Sequence, residues 1–240
     1  MQYREMTSRP RPTAAVLLPG TGSDADFISR ALGPLANSLD LQVIAVQPDP
    51  GRLVESYLEA LAEAAAEHHR LIVGGVSIGA MVAISWACEH QRQVAAVVAA
   101  LPAWSGEAAD SPAAASARYT AGLLRADGLE ATIATMRSGS PRWLADELER
   151  SWRALWPGLP GSMDAAATHV GPTLAELATL RSPVALVAVE DDPLHPIATA
   201  EAWLAALPCA RLESVRLADL GADPAVLSVA GLRALAALPR

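Results

Sequence analysis

An α/β fold, built on a mostly parallel, doubly wound sheet that carries a small helical insertion, is predicted by three features of this chain. Short apolar runs alternate with amphipathic segments through residues 14–99; the alternation lapses over 104–180; and it resumes from 183 onward. Apolar runs separated by helices must join through crossover connections, which lays them side by side in parallel. At 240 residues with 52% apolar content, the chain can bury one sizeable core.

The elements follow in order. Ala14-Ala15-Val16-Leu17-Leu18 is an apolar run stopped by Pro19-Gly20, as a buried parallel strand should be. A helix over residues 24–36 brings Phe27, Ile28, Ala31 and Leu32 together, and 41–46 is the next strand, closed by Pro48-Asp49-Pro50-Gly51. Residues 53–68 are amphipathic, with Val54, Tyr57, Leu58, Leu61, Ala64 and Ala65 on one face. Strands at 71–73 and 94–99 flank an apolar helix over 80–88. Within 104–180 the patterns are helical: Ser140-Pro141 reads as an N-cap and first helical residue, and Thr173-x-x-Glu176 as a capping box. A strand at 183–189, a helix at 197–207, a strand at 212–217 and a helix at 223–238 capped by Asp223 complete the chain. The core is therefore assigned to 1–103 and 181–240, and the insertion, read as a cap, to 104–180.

Charge and composition exclude several classes. A net charge of −8 without a basic cluster argues against nucleic acid and anionic membranes as partners. No run approaches the roughly 18 apolar residues of a membrane span, and the arginine-bearing N-terminus lacks the apolar core of a secretory signal. Two cysteines, Cys88 and Cys209, make no disulfide framework. The expectation is a soluble cytoplasmic protein, with no cofactor or metal implied and self-association left open.

The chemistry centres on Gly75-Val76-Ser77-Ile78-Gly79, which lies between a strand and a helix. Glycines on both sides allow a sharp turn that exposes the serine Oγ at the strand's carboxyl end, and the Ile78 N–H at the helix start can meet a developing oxyanion. In a doubly wound sheet, two further loops converge there. Pro19-Gly20-Thr21-Gly22-Ser23-Asp24 offers Thr21 or Gly22 as a second oxyanion donor, and Glu190-Asp191-Asp192-Pro193-Leu194-His195-Pro196 offers carboxylates and an imidazole. Of six tryptophans, Trp104, Trp143, Trp152 and Trp156 fall in the insertion, where Trp104 and Trp152 are expected to line an apolar substrate pocket.

Over residues 14–238 this order resembles the α/β-hydrolase superfamily. Gly-Val-Ser-Ile-Gly-Ala at 75–80, with Trp86-Ala87 and Leu101-Pro102 beyond it, is similar to that superfamily's elbow region; Pro48-Asp49-Pro50-Gly51 and Asp192-Pro193-Leu194-His195-Pro196 are similar to two of its loops. The resemblance implies Ser77 as nucleophile, Ile78 and Thr21 or Gly22 as oxyanion donors, and Asp192 as acid. It also implies a histidine after the last strand, and here the chain departs: that loop reads Ala218-Asp219-Leu220-Gly221-Ala222-Asp223, and none of the five histidines follows His195.

A serine hydroxyl needs a base at neutral pH. His68, His69 and His90 end helices, where capping accounts for them. His169 falls in the insertion. His195 shares a loop with Asp192 and is the expected base, with Asp191 as the competing acid and Asp219 or Asp223 as poorer, carboxylate substitutes. The leading reading is a serine-dependent hydrolase of an ester, thioester or lactone of an apolar small molecule. The alternatives are a non-hydrolytic or ligand-binding member of the same fold, and a dinucleotide-binding protein using Gly20-Thr21-Gly22-Ser23-Asp24-Ala25 with Asp49.

Overall fold

The computed structural model describes residues 11–108 and 110–238. Its chain order is β1 (Ala14–Leu18), α1 (Ala25–Ser38), β2 (Gln42–Ala45), α2 (Leu53–Glu67), β3 (Leu71–Val76), α3 (Ile78–Glu89) and β4 (Val94–Ala100). The insertion then supplies α4 (Pro112–Ala126), α5 (Gly128–Gly139), α6 (Arg142–Leu155), α7 (Leu159–Thr168) and the short α8 (Leu174–Leu177). The core resumes with β5 (Val184–Val189), α9 (Ile197–Ala206), β6 (Ala210–Val215), α10 (Leu217–Ala222) and α11 (Val226–Ala236).

The strands pair in the order β2-β1-β3-β4-β5-β6, every pair parallel. Strands β1, β3 and β5 are buried along their whole length, which is why they read as unbroken apolar runs. Alternate residues serve opposite faces: Val16 and Leu18 join Tyr57, Leu61, Met81 and Trp203 on one side, while Ala15 and Leu17 join Ile28, Leu32, Leu35 and Leu227 on the other. Helix α3 is buried nearly all round, with Met81, Ala83, Ile84 and Ala87 in the core. On α2 the buried face is Leu53, Tyr57, Leu61 and Ala64, and Leu58 is exposed.

From β1 the chain steps outward to β2, then returns past β1 to β3. The carboxyl ends of β1 and β3 are therefore neighbours whose loops diverge, the place where open α/β sheets take ligands. The insertion keeps a small core of its own, including Leu124, Ile133, Trp152, Leu155 and Leu159.

Several expected boundaries move. Helix α6 begins at Arg142 with Pro141 as its N-cap, so Ser140 is one residue outside it. The final strand ends at Val215, and the stretch expected to be the loop after it is the helix α10, whose Leu217 and Leu220 lie three apart and share a side. Asp223 does not cap α11; its Oδ1 accepts the Ala225 N–H (2.9 Å) in the turn that precedes that helix. The capping box at Thr173 and Glu176 is present as read.

Candidate active site

Ser77 stands between β3 and α3 with φ 55° and ψ −118°, a left-handed conformation that a non-glycine residue adopts only when its surroundings enforce it. The enforcement is visible on both sides. The Ser77 N–H donates to the Ala100 carbonyl at the end of β4 (3.0 Å), and its carbonyl accepts the Met81 N–H of α3 (3.1 Å). A Cβ on Gly75 would fall 2.4 Å from the Gly79 carbonyl carbon, and one on Gly79 would fall 2.2 Å from the Leu18 carbonyl oxygen. Only glycine fits at either position. Ile78 is the first residue of α3, so its N–H has no acceptor within the helix.

The loop after β1 is held from two directions. From below, the buried Tyr57 hydroxyl donates to the Pro19 carbonyl (3.0 Å). From above, three consecutive residues of α6 grip it. Arg150 binds the Asp24 carboxylate through both guanidinium nitrogens; Ser151 Oγ donates to the Gly22 carbonyl (2.6 Å); and the Trp152 indole lies against Gly22, where a Cβ would come within 2.6 Å of Nε1. Asp24 also caps α1 by accepting the Phe27 N–H (3.0 Å). Burial acts to raise the Asp24 pKa, but Arg150 and the Phe27 N–H outweigh it and hold the carboxyl below its usual value.

The third loop follows β5. His195 Nε2 is 2.9 Å from Ser77 Oγ, and its Nδ1 is 2.8 Å from Asp192 Oδ2. The other carboxylate oxygen, Oδ1, accepts the backbone N–H groups of Leu194 (2.7 Å) and His195 (3.3 Å). Desolvation acts to raise the Asp192 pKa, yet His195 and these two N–H groups bring it below the usual value. An ionised carboxylate at Nδ1 requires a proton there, which leaves the Nε2 lone pair of a neutral ring free to accept the serine proton.

Serine, imidazole and carboxylate thus form one hydrogen-bonded chain, with its last two members only three residues apart. Asp191 is elsewhere: its Oδ1 accepts the Leu217 N–H (2.7 Å) at the start of α10.

A cavity of about 470 Å³ opens at this point, between the sheet's carboxyl edge and the insertion. Ser77, Thr21, Asp192 and His195 line it, and so does Trp152. Three expected residues do not: Trp104, Gly22 and Ile78, the last buried at the start of α3 directly after Ser77. Trp104 lies in the core, against Met81 and Gly171, with its Nε1 donating to the His169 carbonyl (3.2 Å); Trp143 of α6 takes the aromatic place in the wall. Gly22 is buried beneath Trp152, so of the two donors considered in that loop Thr21 is the one facing the cavity. His169 is also away from the cavity, with burial lowering its pKa, and His90 stacks on Trp86 and bonds its carbonyl (2.9 Å) at the end of α3.

Leu217 and Leu220 of α10, with Leu227 of α11, form an apolar wall that the sequence pattern does not signal, since the α10 stretch reads as the end of a strand and a loop. Trp143 packs down on α10 at Gly221, where any Cβ would strike its ring at 2.3 Å. Among the described residues, no three His, Cys, Asp or Glu side chains are grouped to hold a metal, and no helix is long and apolar enough to cross a membrane.

The same architecture occurs in solved structures. The chain aligns with Rv0554 from Mycobacterium tuberculosis at a TM-score of 0.70 and 18% identity, covering 96% of this chain and 92% of that one. A hydrolase from Pseudomonas aeruginosa aligns at 0.66 and 23% identity (92% and 89% covered), and the enol-lactonase from Burkholderia xenovorans at 0.62 and 15% (87% and 84%). At such identities the likeness is one of fold. Among curated proteins, none matches this chain in sequence. The sequence profile of the alpha/beta hydrolase family, however, matches residues 7–228. With the parallel sheet and the elbow already in place, that match settles the kinship: the chain belongs to the alpha/beta hydrolase family.

Proposed function

We propose that this protein is a serine hydrolase acting on an ester, thioester or lactone of an apolar small molecule. The observation that carries the reading is the unbroken hydrogen-bond chain from Asp192 through His195 to Ser77 Oγ, at 2.8 and 2.9 Å. His195 Nε2 takes the hydroxyl proton as Ser77 Oγ attacks the carbonyl carbon, and Asp192 stabilises the imidazolium that forms. In this reading the Ile78 N–H, without an acceptor in α3, and the backbone of Thr21 receive the oxyanion. The imidazolium then returns its proton to the leaving alcohol or thiol, and water, deprotonated by the same ring, releases the acid. The helical insertion acts as a cap that supplies the cavity's apolar roof.

The dinucleotide reading finds little support. The position a pyrophosphate would take, at the N-terminus of α1, is held by the Asp24 carboxylate, and Gly22 is covered by Trp152.

Labelling by an alkyl fluorophosphonate, followed by intact mass, tests the proposal. Wild type should gain one adduct, and Ser77→Ala and His195→Ala should gain none over the same interval. Loss of labelling in the serine variant alone would remove His195 from the role of base. A folded wild type that resists labelling would favour a non-hydrolytic use of the site.

A further inference from the structure

We propose that the cavity selects substrates by charge, accepting uncharged acyl groups and refusing those bearing a carboxylate or phosphate. The inference rests on the reading of Ser77 as the nucleophile.

The cations come first. All 18 basic residues of the chain are arginines, and none is among the described residues lining the cavity. Besides His195, the charged groups in its wall are Glu147 and Asp192. Two arginines flank Glu147, and both are engaged. Arg30 donates to both Glu147 oxygens (2.8 Å each) and to Asp26 (2.8 Å); Arg150 donates to Glu147 (3.0 Å) while binding Asp24. Three carboxylates therefore face two guanidiniums, and one negative charge is left over beside the wall.

The rest of the wall supplies neutral groups. Phe27, Leu217, Leu220 and Leu227 offer no donor to an anion, and the donors that the wall does hold, among them the Ser23, Ser116, Thr120 and Ser140 hydroxyls and the Trp152 indole N–H, are uncharged. Trp143's indole N–H is turned against α10 at Gly221. An acyl carboxylate entering here would lose its water, gain no cation, and sit near an excess negative charge. An alkyl group of the same length would lose only unfavourable hydration. The apolar wall at α10 occupies ground that sequence resemblance had reserved for a histidine, which the compact Asp192–His195 turn makes unnecessary there.

The test compares two irreversible probes: an alkyl fluorophosphonate and its ω-carboxylate counterpart of equal chain length, each followed by the rate of adduct formation. Wild type should react with the alkyl probe at least about thirtyfold faster. Glu147→Gln should raise the carboxylate-probe rate relative to the alkyl-probe rate of the same variant by about tenfold, the ratio being the readout because Glu147 itself lines the cavity. Ser116→Lys, a half-buried wall position on α4 outside the charge cluster, should narrow the ratio in the same direction. Equal wild-type rates would overturn charge selection while leaving the nucleophile intact. A wild-type preference that neither variant narrows would overturn the electrostatic cause. Failure of both probes to label would remove the underlying reading of Ser77, and this one with it.

Discussion

The elbow and the turn after β5 deliver their side chains to one cavity by opposite means. At the elbow, position comes from backbone pressed on backbone: β1, β3 and α3 approach so closely that a single methyl at residue 75 or 79 would overlap a neighbouring main chain. At the turn after β5, position comes from one carboxylate, which ties down two N–H groups with Oδ1 and the imidazole with Oδ2. The first arrangement has no slack, because main chain in a packed sheet cannot move aside. The second can be weakened bond by bond while the chain path persists.

The largest expected effect therefore lies at Gly79. Gly79→Ala forces a methyl into the Leu18 carbonyl region and should cost about 3 kcal/mol or more of folding stability, read as a lowered urea midpoint or as loss of soluble protein. Near-wild-type unfolding would mean that the elbow yields, and the contrast with the turn would collapse.

Asp192→Asn comes next, and it separates shape from charge. The amide oxygen can still accept the Leu194 and His195 N–H groups, so the fold should stand, but the amide cannot hold His195 in the reactive tautomer. Labelling of Ser77 should slow by roughly 10²- to 10⁴-fold. The pH dependence has a definite sign. The Asp192 pKa lies below its ordinary 3.8 in the folded protein, so the ionised carboxylate adds stability above about that pH, and the increment fades as pH falls through the folded value. The stability gap between wild type and the asparagine variant should be full near neutrality and should shrink below pH 4. A gap unchanged by acid would assign the difference to packing alone.

What could be read from the sequence divides along the same line. The elbow was legible because its demands fall on residue types: glycines flanking a serine after an apolar strand have few other uses. The parallel sheet was legible because buried strands are apolar throughout. Asp192 and His195 were harder, since a turn role and a catalytic role ask for the same residues, and here one carboxylate both ties the turn together and meets the imidazole beside Ser77. Helix α10 was missed because Leu217-Ala218-Asp219-Leu220-Gly221-Ala222 is too short to show a period and carries a glycine. That glycine is there for Trp143, a contact from a segment far away in sequence that no local pattern encodes. The exchange of Trp104 for Trp143 in the cavity wall has the same origin: Trp104, in the segment between β4 and α4, is held in the core by the His169 carbonyl and Gly171, and Trp143 reaches the site through its packing on Gly221, neither of which is a local pattern.

Tyr57 is the smallest and most discriminating test, because it joins the two modes. It was legible only as a core residue on the face of α2, and it is fully buried; yet its hydroxyl donates to the Pro19 carbonyl beneath the loop that carries Thr21. Burial pushes its pKa well above the ordinary value, so it remains a donor throughout the working pH range. Tyr57→Phe keeps the ring and strands the Pro19 carbonyl, which should lower stability by about 1–2 kcal/mol. If the loop's position also matters to the oxyanion, kcat on an activated neutral ester should fall severalfold with KM nearly unchanged, since the lost interaction would act in the transition state. A lower melting temperature with kcat intact would make Tyr57 a packing residue alone. The grip of α6 on Gly22 and Asp24 would then be sufficient to place Thr21, and the rigidity of this half of the site would belong to the insertion instead of the sheet.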